Sequence, residues 1–286
     1  MVAAHGIASS AGPLIKAASH VLGLRGGPQG NLPLHQAAKH TVPLVASALL
    51  DVIYQAYPPA VRETNFRGDL PLHMAAASQT WSLVEKISQW NMDALLVGDT
   101  SLRLPLHVAI QDNRGPQSTA VVMGLIKSCK SAVTAKTASG HLPIHLACLY
   151  SESVGILRSL LHLYPQSASI DLWGQLPLHL VVEHGGDVNA NQRVAMLQRF
   201  YPAASRHYDN NGSLPIQICR SGALAKVLAC HDPQVANIIL QRTVAKPGHE
   251  LEYNAVLQES VAKTRVFWAN GSAGSKRLTE LLHVCW

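Results

Sequence analysis

The sequence predicts an all-α solenoid of about six helix-turn-helix units with helical end caps. Three observations predict it. The tetrapeptide Leu-Pro-Leu-His begins at Leu32, Leu70, Leu104 and Leu176, with Leu-Pro-Ile-His at Leu142 and Leu-Pro-Ile-Gln at Leu214, so successive copies lie 38, 34, 38, 34 and 38 residues apart. A glycine stands two residues before the motif at Gly30, Gly68, Gly140, Gly174 and Gly212, and Leu102 takes that place in the remaining copy. Apolar residues at three- and four-residue spacing follow each copy, the period of one helix face.

Each element has a physical reason. Leu14, Ile15, Ala18, Val21 and Leu22 are spaced as on a helix, and residues 1–26 are expected to form a partial or degenerate unit that caps the array. The array itself is expected over residues 27–242. Within a unit, glycine suits a turn position with positive φ or close approach. The leucine before proline is pushed to extended backbone, and proline then fits the first helical position, where its missing N–H costs nothing. Leu34, Ala37 and Ala38, or Leu72, Ala75 and Ala76, share one face of a short first helix. A longer second helix follows, carrying Leu83, Val84 and Ile87, then Val121, Val122, Leu125 and Ile126, then Ile156, Leu157, Leu160 and Leu161. Tyr57-Pro58, Tyr164-Pro165 and Tyr201-Pro202 end such helices, because a helix seldom continues through proline. Turns from Asp171 to Gly174 and from Asp209 to Gly212 lead into the next unit.

The long units begin at Leu32, Leu104 and Leu176, and turn-forming residues such as Asn113 to Pro116 and Gly185 to Asp187 place their extra residues between the two helices. Three longer turns are therefore expected along one edge of the stack. The sixth unit is irregular: Gln217 replaces histidine, and Asp232-Pro233 reads as a new helix start inside the expected second helix. Residues 243–286 are expected to supply a capping helix around 250–266 and a flexible tail.

These units resemble ankyrin repeats, whose unit of about 33 residues carries a Thr-Pro-Leu-His-x-Ala signature. The matching stretches run from Leu70 to Ala75 and from Leu104 to Ala109. Leucine replaces the family's threonine in every copy, so the hydroxyl that caps the first helix there is absent. Losing such a cap costs about 0.5–2 kcal/mol, whereas a fully buried leucine contributes about 1.5–3 kcal/mol. The exchange is neutral or favourable if the leucine is buried.

Composition narrows the function classes. Hydrophobic residues make up 48% of the 286-residue chain and charged residues 14%, enough apolar material for a core and too little polarity for disorder. No apolar run approaches the ~18 residues of a membrane span. The formal charge of +6 is scattered, with its densest pair at Lys276-Arg277, rather than gathered into a nucleic-acid footprint. The five cysteines include no C-x-x-C pair and suit free thiols in a reducing, cytoplasmic setting. No acidic residue precedes Asp51, a composition shared with organelle transit peptides, so an organelle-imported interaction protein is an alternative.

His35, His73, His107, His145 and His179 hold equivalent places in successive units. Packed helices lie about 8–10 Å apart, too far for such residues to share one zinc ion with ligands at ~2.0–2.1 Å. Their ring nitrogens are expected to serve backbone groups of the turns. His179, Glu183 and His184 form the best remaining polar cluster, but they do not make H-E-x-x-H, and a metal-dependent hydrolase grafted on the stack is the minor reading. The run from Gly271 to Lys276 lacks the glycine that precedes the lysine of a phosphate loop.

The expected function is a non-catalytic scaffold without cofactor or metal, a monomer that binds a protein partner and neither nucleic acid nor membrane. The ankyrin resemblance places partner contacts at the turn tips and the exposed ends of first helices, on a concave surface. The second unit then offers Phe66, Arg67 and Asp69. The third offers Arg103, Gln111 and Asp112, at a tip whose shape the missing glycine puts in question. The fourth offers His141 and Tyr150, the fifth Leu172, Trp173, Gln175, Glu183 and His184, and the sixth Asn210 and Asn211. Trp173 and Phe66 are the candidate hot spots, since aromatic residues and arginine dominate binding energetics. Trp81 and Trp90 are expected in the core.

Overall fold

The computed structural model describes residues 23–39, 42–112, 118–184 and 188–219, together with residues 221, 224, 225, 227 and 228. The expected cap within residues 1–22, the turns of residues 113–117 and 185–187, the Asp232-Pro233 helix start and the C-terminal helix and tail lie outside the described residues. The chain divides into two compact units, Met1–Tyr164 and Pro165–Trp286.

In the first unit, short and long helices alternate: α1 (Pro33–Ala38) and α2 (Pro43–Ala56), α3 (Pro71–Ala77) and α4 (Trp81–Trp90), α5 (Pro105–Gln111) and α6 (Ser118–Ser128), α7 (Pro143–Tyr150) and α8 (Val154–Leu163). First helices pack on first helices of the next pair, and second helices on second helices. The second unit holds α9 (Pro177–His184), α10 (Ala190–Phe200) and the short α11 (Pro215–Ile218), with α9 packed on both of the others.

Every first helix starts at the motif proline. The leucine before it is extended at Leu32, Leu70, Leu104, Leu142 and Leu214, for example φ −73° and ψ 158° at Leu32. All six of these leucines are buried, between 0% and 5% exposed, so burial does replace the missing hydroxyl cap. Histidine supplies the other half of the cap. The N–H groups of Leu32, Leu70, Leu104, Leu142 and Leu176 donate to Nδ1 of His35, His73, His107, His145 and His179 at 3.0–3.2 Å. Since Nδ1 accepts, the proton sits on Nε2. That N–H donates onward, from His35 to the Asp69 carbonyl (2.8 Å), from His73 to Arg103 (2.9 Å), from His107 to Ala135 (3.2 Å) and from His179 to His207 (3.1 Å). In α11, Gln217 Oε1 accepts from the Leu214 N–H at 2.8 Å and keeps the same cap without an imidazole.

The Tyr-Pro pairs end α2, α8 and α10, with Tyr57, Tyr164 and Tyr201 as C-caps. A third element follows each second helix: 3₁₀ turns at Pro58–Arg62, Met92–Leu96, Lys130–Thr134, Pro165–Ser169 and Pro202–Arg206. Each buries a small residue three places after the C-cap, at Ala60, Ala94, Ala132, Ser167 and Ala204.

One expectation about the long units is corrected. In the unit that starts at Leu32, the extra residues lengthen α2 to 14 residues, against 10 in α4, rather than the turn before it. Val42-Pro43 restarts the helix early, and Ala46, Leu50 and Ile53 continue its buried face. Trp81 and Trp90 are half-buried between second helices rather than in the core. The Trp81 ring fills the space above Gly124, where a methyl group would overlap it. Trp90 stacks on Tyr54 with ring centroids 4.1 Å apart. Beside this stack Lys86 pairs with Asp51 at 2.6 Å and donates to the Ser47 hydroxyl at 2.7 Å.

A candidate protein-binding surface

The turn tips are built by acceptors placed five residues before the motif leucine. Asn65 Oδ1 takes the N–H groups of Arg67 and Asp69, Asp99 Oδ1 those of Ser101 and Arg103, and Asp209 Oδ1 those of Asn211 and Ser213, all at 2.8–2.9 Å. Thr137 Oγ1 takes the His141 N–H at 3.1 Å. The glycine position adopts φ between 61° and 85° at Gly30, Gly68, Gly140, Gly174 and Gly212. Leu102, in the same place, adopts φ 55°. The tip missing its glycine therefore keeps the left-handed backbone, at the cost of about 1–2 kcal/mol that such a conformation imposes on a side chain with Cβ.

In the first unit Phe66 is exposed (66%), with its ring laid on Gly30, where an added Cβ would come within 2.7 Å. The Arg25 guanidinium lies 5.8 Å from the ring centroid and also donates to the Thr64 carbonyl. Arg67 is exposed beside it. Asp69, expected among the contact residues, is buried, with Oδ2 bound to the Asn65 amide and its carbonyl to His35. Arg103 is half-buried, paired with Asp99 Oδ2 at 2.7 Å and bonded to Gln111 Oε1 at 3.3 Å. That pairing and the two turn N–H groups hold the Asp99 carboxyl below its usual pKa, against the opposing effect of burial. Asp112 is the C-cap of α5, His141 is bonded to the Ser139 hydroxyl at 2.9 Å, and Tyr150 is exposed at the end of α7.

The fifth tip, in the second unit, is built differently. Leu172 and Gln175 exchange both backbone hydrogen bonds, at 2.8 and 3.0 Å, around a two-residue turn. Both central residues are left-handed, Trp173 at φ 51° and Gly174 at φ 81°. This is the hairpin geometry that favours Asn-Gly. The turn points Leu172 inward, where it is 5% exposed, and Trp173 outward, where it is 68% exposed. Asn210 donates to the Trp173 carbonyl at 2.7 Å and closes over Gly174. Gln175 donates to Glu183 at 3.0 Å, and Glu183, His184 and Asn211 are exposed. Arg25 and Leu102 are not among the contact residues expected from the sequence, although Leu102 stands out there as a bulky residue in a glycine slot.

Chemically, the motif histidines are committed. Burial lowers the pKa of His35, His73 and His179, and lowers His107 to about 4, against smaller raising effects from the accepting carbonyls. They are neutral cap acceptors near pH 7. Among the described residues, no group of three His, Cys, Asp or Glu side chains is placed to hold a metal, and no helix is long and apolar enough to cross a membrane.

No family model matches the chain. No curated protein matches it either. Solved structures do. The human ASB11 ankyrin repeat domain superposes with a TM-score of 0.58 at 19% identity, covering 80% of this chain and 97% of that one. The fold is that of an ankyrin-repeat array. A second match, from the Bdellovibrio bacteriovorus predatory endopeptidase Bd0816 in complex with immunity protein Bd3460, has a TM-score of 0.56 at 16% identity and covers 69% of this chain and 96% of that one. At these identities the likeness concerns the fold alone.

Proposed function

We propose that the chain is a non-catalytic protein-interaction scaffold whose partner engages the turn tips and the neighbouring ends of the first helices. One observation carries this reading: Trp173 stands 68% exposed at φ 51°, in a turn position where Asn or Gly would cost little. A large aromatic held outside in strained backbone is poor for stability and suited to binding. Phe66 is likewise an exposed aromatic at a tip of the first unit, there without the backbone strain. The contact set is then the exposed part of the expected one, with Phe66, Arg67, Tyr150, Trp173, Glu183, His184, Asn210 and Asn211 touching the partner. Asp69 and Leu172 shape their turns from inside. The free thiols Cys129, Cys148 and Cys219 suit a reducing, cytoplasmic setting.

The test is affinity purification with wild type and the Phe66→Ala/Trp173→Ala double variant, followed by circular dichroism of both. The double variant is expected to keep its helical signal and lose the main partner. Retention of that partner on a folded double variant refutes the assigned surface.

A further inference from the structure

The tips of the first unit form one connected row. The Phe66 N–H donates to the Gln29 carbonyl (2.9 Å), Thr100 to Arg67 (3.0 Å) and Ala138 to Ser101 (2.8 Å), so each tip is hydrogen-bonded to the one before it. The turn chemistry sorts charge along this row. The carboxylates of Asp69 and Asp99 are drawn inside, 7% and 4% exposed, and spent on backbone N–H groups, an amide and the Arg103 guanidinium. Arg25, Arg67 and Lys136 remain exposed along the row, as do Phe66 (66%) and Leu102 (57%). Among the described residues of this row, 23–31, 64–70, 98–104 and 135–142, no acidic side chain is exposed.

We propose that this row receives an acidic peptide segment of the partner protein, with one aromatic or aliphatic anchor resting on Phe66 and flanking carboxylates paired with Arg67 and Arg25. Guanidinium groups bind carboxylates through two parallel hydrogen bonds, which gives register as well as energy. Phe66 contributes desolvated apolar area beside them. A nucleic acid fits less well: three exposed cations neutralise few phosphates, and a single ring provides no succession of stacking platforms. The proposal rests on the scaffold reading above and specifies its partner.

The experiment uses the full chain, immobilised, to select from a phage-displayed library of random dodecapeptides. The best enriched peptide is then synthesised, and its binding to wild type, Arg67→Glu and Phe66→Ala is followed by fluorescence anisotropy. Enriched sequences are expected to carry a net negative charge around an aromatic or leucine residue. Arg67→Glu is expected to weaken binding about tenfold or more at ~0.05 M salt and less at ~0.5 M, since exposed ion pairs are screened. Phe66→Ala is expected to weaken it about tenfold at both, as a lost hot-spot anchor does. Neutral or basic enriched peptides, no enrichment, indifference to Arg67→Glu, or displacement by polyuridylic acid would each overturn the proposal. Neutral peptides that bind wild type but not the Phe66→Ala/Trp173→Ala variant would sink the acidic-segment proposal alone. Peptides that bind regardless of every tip substitution would sink the scaffold surface as well.

Discussion

Replacing His107 by glutamine separates its two jobs and exposes its titration. His107 accepts from the Leu104 N–H at 3.0 Å and donates to the Ala135 carbonyl at 3.2 Å. Gln217 shows that a glutamine in this place can hold the first bond, at 2.8 Å to Leu214. The second bond is lost, so His107→Gln should lower stability at pH 7.5 by about 0.5–1.5 kcal/mol, the usual net worth of one hydrogen bond, since the half-buried Ala135 carbonyl can turn to water. The pH dependence runs the other way. The folded-state pKa of His107 is depressed to about 4 from 6.5. The unfolded chain therefore binds the proton more readily, and the stabilisation is full above about pH 6.5, then falls as the pH drops towards 4. A displacement of this size corresponds to roughly 3 kcal/mol lost by the wild type across that window, and glutamine loses none of it. Urea unfolding at pH 7.5, 6, 5 and 4, followed by the fluorescence of Trp81 and Trp90, should show the variant less stable at pH 7.5 and level with or above the wild type by pH 4. A stability difference that stays constant across this range would refute the assignment of His107 as a neutral, proton-excluding cap.

Other substitutions probe other links. Trp173→Asn should raise stability by about 0.5–1 kcal/mol in thermal or urea unfolding, because asparagine tolerates φ 51° better than tryptophan, and should abolish partner capture; a loss of stability would contradict the strain. Gly124→Leu should cost about 1–3 kcal/mol and shift tryptophan emission, since the added side chain meets the Trp81 ring; an unchanged melting temperature would mean that Trp81 does not sit there. Lys86→Met should change stability by less than about 1 kcal/mol, because Asp51 is 46% exposed and such pairs are screened. A loss of several kcal/mol in urea unfolding would make that pair a structural keystone, against this reading.

The frame of the fold was legible because it repeats. Leu32, Pro33 and His35 recur with their roles intact, and the inference that leucine must be buried where a hydroxyl cap is missing follows from energetics alone. The 3₁₀ turns were not anticipated, because their sequences share little beyond one small residue, Ala60 and its counterparts, whose meaning appears only when the tight packing beneath it is seen. The placement of the extra residues near α2 was misread because Pro43 can start a helix as readily as interrupt one. At the tips, Asp171 and Asp209 were recognisable turn formers with a glycine three residues on, whereas Asp99 is followed by Leu102 instead, and Asn65 and Thr137 do similar work with an amide and a hydroxyl. Side-chain direction was harder still. Leu172 and Trp173 are sequence neighbours, and only the two-residue hairpin decides which faces water.

The forward-reaching imidazoles also bear on how such a chain can grow. The bond from His35 ends at Asp69 and that from His73 at Arg103, although the copies that carry them are 38 and 34 residues long. The joint between neighbours thus ignores how much chain is spent in between. A duplicated or deleted copy of either length would still present a donor to a carbonyl of the next turn, one residue before the motif leucine at Asp69 and Arg103 and seven before it at Ala135 and His207, so copy number can drift over generations while the second helices lengthen or shorten independently.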